Sequence, residues 1–137
     1  RSILWAYGTA PFFKDYYPAL IKILCRHHHS LEMLNIELTT QIAAWLGIKT
    51  PCVDSARWHF DGDAVNKIIQ MCQAVNANQY LSNEGAKDYI TPKEEDRLLS
   101  AGILHNWLDC KDPDEKPLSA IHHLFTLGPK AARLVQR

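Results

Sequence analysis

The feature that most constrains this chain is a change of rhythm after Ile48, where short strand-like runs begin to alternate with helical patterns. Thr50–Asp54, Gln79–Ser82 and Ile103–Leu108 have the length and residue types of short strands. After the first run, Asp61-Gly62-Asp63 offers caps for a helix whose Val65, Ile68, Ile69 and Cys72 form one face. After the second come a helical turn, about Glu84–Tyr89, and then Thr91-Pro92-Lys93-Glu94. Thr91 suits the N-cap, Pro92 the first helical position and Glu94 the closing carboxylate of a capping box, with Gly102 as the stop. Strand, helix, strand, helix, strand at this spacing predicts parallel crossovers rather than hairpins. The expected fold class is therefore α/β, with a short parallel sheet of about three strands joined by crossover helices.

The first half reads as helical. Phe12, Phe13, Tyr16, Tyr17, Leu20, Ile23 and Leu24 recur at the spacing of an amphipathic helix, with a kink or break expected at Pro18. Leu31, Leu34, Leu38, Ile42 and Trp45 mark a second helix between the cap Ser30 and the stop Gly47. A last helix, Ser119–Leu127, ends at Gly128-Pro129. The helical first half is expected to pack on the sheet, because parallel sheets need both faces covered. The 137 residues suit one domain, 1–137. An opening Arg in place of Met reads as an N-terminally incomplete sequence, the C-terminal part of a larger α/β domain.

Fifteen basic and 15 acidic residues give a formal net charge of zero, which argues against nucleic acid as a partner. No apolar run reaches the roughly 20 residues of a membrane span, and the opening lacks the apolar core of a secretory leader. Cys25, Cys52, Cys72 and Cys110 are scattered, with Cys52 and Cys72 expected to be buried. Free thiols of this kind fit a reducing compartment, so a cytoplasmic setting is expected.

In open parallel sheets, ligands gather beyond the carboxyl ends of the strands. Three stretches qualify: Ser55–His59, Ser82–Lys87 and Asp109–Asp114. The second stands out, since Ser82 and Asn83 end a strand, Gly85 permits close backbone approach, and a helical N-terminus follows that suits an anionic group. Simple capping of the next helix would also account for Ser82 and Asn83. Asp88 or His59 could serve as a general base. His27-His28-His29 and His122-His123 are consecutive and cannot share one ion on a regular element, so no metal site is expected. Tyr7, beside Gly8-Thr9, is the aromatic in its region whose loop setting leaves it free to meet a ligand. No nucleophile elbow, phosphate-binding loop or dinucleotide fingerprint is present, and no cofactor is indicated.

Tyr7-Gly8-Thr9-Ala10-Pro11-Phe12-Phe13 with Tyr16-Tyr17, Leu46–Pro51, Tyr80–Ile90 and Leu118–Pro129 together resemble, in consistent order, the WbqC-like family. The family's N-terminal segment, a turn containing proline and tyrosine, is absent. The resemblance implies a role in bacterial surface-polysaccharide (O-antigen) biosynthesis, as a transferase modifying an activated sugar by acyl or amino-acyl transfer. By resemblance, Ser82 and Asp88 are the candidate catalytic positions. Asn83, Gly85, Lys87 and Tyr89 are candidate substrate contacts, with Tyr7 and Thr9 as companions, and Ser55 joins them from its place after the first strand. The enzyme would take a small-molecule substrate, an activated sugar. The alternative is a non-enzymatic binding or scaffold module of the same pathway, with exposed tryptophans such as Trp5, Trp58 or Trp107 as its contact surface.

Overall fold

The computed structural model describes residues 1–108 and 118–134. These fall into two compact units, one uniting Arg1–Cys52 with residues 118–134 and the other taking residues 53–108.

The first unit is helical: α1 (Ser2–Tyr7), α2 (Phe13–Cys25), α3 (Leu31–Trp45) and α6 (Ala120–Leu127). Its core joins Phe13, Tyr16 and Leu20 of α2 to Leu124 and Phe125 of α6 and to Leu46. Phe13 stacks on Tyr17 at 4.4 Å, and Phe125 meets the rings of Phe13 and Tyr7 at 5.1 and 5.3 Å. α2 continues through Pro18 instead of breaking there. A proline removes one backbone donor, and the buried stripe of Phe13, Tyr16, Leu20 and Ile23 on both sides outweighs that loss. Ser30 caps α3, its hydroxyl accepting from the Met33 N–H at 3.2 Å. The apolar stripe of α3 is covered only toward its C-terminal end, by way of Leu38, Ile42 and Trp45, while Leu31 is 71% exposed. α6 begins on the cap Ser119 and ends at Gly128, whose φ of 60° is left-handed.

The second unit contains α4 (Ala64–Ala74), β1 (Gln79–Ser82), α5 (Pro92–Ser100) and β2 (Leu104–Trp107). β1 and β2 pair in parallel, with Tyr80 opposite His105 and Ser82 opposite Trp107. The sheet thus has two strands among the described residues, one fewer than the sequence rhythm predicts. Thr50–Asp54 is not a strand. Pro51 has no N–H to give a ladder, and Asp54 instead turns the chain by accepting from the Ala56 N–H at 2.9 Å. Cys52 is accordingly exposed, as is Cys25, whereas Cys72 is buried.

α5 starts at Pro92 as predicted, but its capping box does not form. The Thr91 side chain makes no capping bond, and the Glu94 carboxylate turns to Arg97 at 2.5 Å. Arg97 also holds Asp63, the cap of α4, at 3.0 Å, so the pair ties the starts of two helices together. Leu98 of α5 and Ile103 lie fully buried with Val65, Cys72, Ala86 and Ile90 in a core separate from that of the first unit.

Strand periodicity sorts the sheet residues. Tyr80, Ser82, His105 and Trp107 share one face, and Gln79, Leu81, Leu104 and Asn106 the other. Leu81 and Leu104 on that second face are more than half exposed.

Candidate functional site

The residue types on the inner face of the strand pair determine what it can do. Ser82 ends β1, and His105 sits one step back on β2, so the two side chains meet diagonally across the ladder. The Ser82 hydroxyl and His105 Nε2 are 2.7 Å apart. On the other side of the imidazole, His105 Nδ1 lies 2.9 Å from Glu95 Oε1, which the first turns of α5 deliver over the sheet. The Trp107 indole N–H donates to the same carboxylate oxygen at 3.1 Å. Ser82, His105 and Glu95 therefore form a continuous chain of hydroxyl, imidazole and carboxylate.

The imidazole is held from its faces as well. The Tyr80 ring lies nearly parallel to it at 5.9 Å, and the Trp107 ring meets it edge-on at 4.6 Å. Lys87 extends over Trp107, its Nζ 5.7 Å from the ring centroid. His105 is 3% exposed at its side chain and Ser82 is 5% exposed, whereas the Glu95 side chain is 39% exposed. The serine end of the chain is thus shielded from bulk water and the carboxylate end is wet. Burial, followed by the neighbouring Tyr89, pushes the Tyr80 phenol above its ordinary range.

The turn after Ser82 runs Glu84–Asp88 and is a single 3₁₀ turn. Asn83 caps it, its side-chain oxygen accepting from the Gly85 N–H at 3.1 Å. One of the amide donors in this turn is therefore already engaged by the protein itself. Lys87 pairs with Glu84 at 3.1 Å, and Asp88 and Tyr89 are exposed. Ser82 does not cap this turn; its hydroxyl faces His105. His59 is occupied at the surface by Asp61, at 3.0 Å. Ser55 opens a short turn and lines an apolar groove of about 260 Å³ that Tyr80 also lines.

Tyr7 and Thr9 belong to the first unit. The Tyr7 ring is packed against His122 at 5.7 Å as well as against Phe125, in the aromatic core rather than a free loop. The stretch Asp109–Asp114 lies outside the described residues. Among the described residues, no group of three His, Cys, Asp or Glu is placed to hold a metal ion, and no helix is long and apolar enough to cross a membrane.

His105 and Glu95 are the site residues that sequence reasoning did not single out. The signal was available in period-2 form. A serine closing one parallel strand and a histidine at an alternate position of the next face the same side once the register is known.

A parallel strand pair whose crossover helix completes a serine–histidine–carboxylate chain defines a small α/β protein with a candidate nucleophile. The profile of the WbqC-like protein family matches residues 1–133, and the chain belongs to that family. It is also similar to an uncharacterized protein of Mycobacterium tuberculosis, Rv1507c, with 26% identity over 110 residues, 80% of this chain and 46% of that protein. The chain thus spans about half the length of this curated relative. No solved structure matches the chain.

Proposed function

We propose that the chain is a transferase of bacterial surface-polysaccharide (O-antigen) biosynthesis that moves an acyl or amino-acyl group onto an activated sugar, with Ser82 as nucleophile. The observation that carries this reading is the hydrogen-bond chain from Ser82 through His105 to Glu95. A serine hydroxyl is a weak nucleophile until a base within about 2.6–3.2 Å takes its proton, and the base works best when a third group fixes its orientation. Here Ser82 Oγ attacks the carbonyl carbon of an acyl donor while His105 Nε2 takes the hydroxyl proton. The leaving group departs with that proton, and an ester remains on Ser82. A sugar hydroxyl or amine then attacks the ester, passes its proton to His105, and the proton returns to Ser82 as the product leaves. Glu95 holds the imidazole and stabilises its charge during both halves. Asp88, Lys87 and Tyr89, on the exposed turn beyond Ser82, are assigned to the sugar acceptor.

The test is intact-mass analysis after incubation with acyl-coenzyme A species, with and without nucleotide sugars. A covalent adduct on Ser82, absent in Ser82→Ala and His105→Ala and present in Asp88→Asn, is the expected result. Failure to form any adduct or modified sugar with a folded protein would remove the enzymatic reading.

The burial of Ser82 and His105 favours a second reading, a non-enzymatic binding or scaffold module. In that case the chain of hydrogen bonds only satisfies buried polar groups and locks β1, β2 and α5 together.

A further inference from the structure

We propose that the apolar groove formed by α4, the segment before it and β1 holds the acyl part of the donor, a short or branched aliphatic chain or a single aromatic ring. The proposal rests on the acyl-transfer reading for the head group of the ligand. The apolar character of the ligand comes from the groove itself.

Size decides first. An apolar cavity of about 150 Å³ accommodates benzene, and pockets for whole drug-sized molecules begin near 300 Å³. At about 260 Å³ the groove has room for a group of one ring or a short chain and is too small for a nucleotide sugar. Polarity decides next. No charged side chain lines the groove, and its polar groups are the Ser55 hydroxyl, the Tyr80 phenol, the Trp58 indole N–H and the Cys72 thiol. A phosphate placed there would lose water without gaining a charged partner. An aliphatic group, by contrast, would cover apolar surface that is now wet, since Met71 is 40% exposed and Val75 50% exposed at the rim.

Position decides last. Tyr80 lines the groove and also stacks on the His105 ring, whose Nε2 meets Ser82. Ser82 lies two residues along the same strand and on the same face as Tyr80. A chain lodged in the groove therefore has a single aromatic ring, that of Tyr80, between it and the imidazole.

The experiment uses non-transferable thioethers of coenzyme A with alkyl groups of two, four, six and eight carbons, titrated calorimetrically into the full chain. Affinity should tighten by about fourfold per methylene and level off once the groove is full. Val75→Trp, which fills the groove from an exposed position, and Met71→Glu, which charges its rim, should each abolish the dependence on chain length. Ser82→Ala should keep it intact. Affinity independent of chain length in a protein that still forms the Ser82 adduct overturns the groove assignment and leaves the transferase reading standing. Chain-length dependence without any adduct in the wild type keeps the groove and removes the transferase. If the chain sediments as a dimer that Val75→Trp dissociates, and the thioethers do not bind, a second copy covers the groove and the proposal fails.

Discussion

Replacing His105 with Phe tests whether the Ser82–His105–Glu95 chain is an energetic unit. Phenylalanine keeps a ring between Tyr80 and Trp107 but removes both imidazole nitrogens. Ser82, 5% exposed, would then keep a hydroxyl with neither its partner nor free access to water. An orphaned buried polar group costs about 1–3 kcal/mol. Glu95 is 39% exposed at its side chain and retains the Trp107 N–H, so its own loss is small. The expected destabilisation is about 2 kcal/mol. Ser82→Ala should cost about 1–2 kcal/mol, because the His105 Nε2, also buried, loses its partner. The double variant contains neither orphan, so it should be no less stable than His105→Phe alone, giving a coupling energy of about 1–2 kcal/mol. Urea unfolding followed by circular dichroism and tryptophan fluorescence reads this directly. With a slope of about 2 kcal/mol per molar, the His105→Phe midpoint should drop by about 1 M while the slope stays constant. If the two single costs simply add in the double variant, to within about 0.5 kcal/mol, the hydrogen bond is not a coupled element and the reasoning fails.

Three further outcomes are expected. Arg97 beside Asp63, with the Asn66 N–H, holds that carboxyl below its ordinary value of 3.8. Its contribution is therefore present above about pH 4 and lost as pH falls through the lowered folded value, and Asp63→Asn should flatten the acid limb of a stability-versus-pH curve. Burial pushes the Cys72 thiol up, so peptide mapping after brief native alkylation should find Cys25 and Cys52 modified and Cys72 unmodified until denaturant is added. At Gly128, a Cβ would stand 2.5 Å from the Phe12 ring at a φ of 60°. Gly128→Ala should lower the melting temperature by about 4 °C or more, and shrinking Phe12 to Leu should restore only part of the loss, because the backbone strain remains.

The second half of the fold was legible where local chemistry decides it. Pro92 opens a helix and Ser119 caps another, each through contacts within a few residues, and Gln79–Ser82 is the strand that its residue types predict. Thr50–Asp54 misled because β-prone residues say nothing about whether a partner strand is available, and Pro51 weakens any ladder. Pro18 does not break α2, since tertiary burial of Tyr16 and Leu20 overrides a local breaker. The candidate site was half visible. Ser82 stood out by its place at a strand end, but its partner lies 23 residues away and is selected by strand register. Glu95 lies in a first helical turn, where acidic residues are common, and only the crossover brings it to His105.

The separation of the two cores has a consequence for how the chain acquires its structure during synthesis. Every residue in the core of the second unit, from Val65 to Ile103, comes from one continuous stretch. The core of the first unit joins Phe13 and Leu20 to Leu124 and Phe125, which are made only after that whole stretch. Residues 65–103 can therefore fold while α2, though made earlier, still awaits α6. The usual order, in which the N-terminal part folds first, is reversed here, and the exposed aromatic stripe of α2 is what a chaperone would meet in the interval.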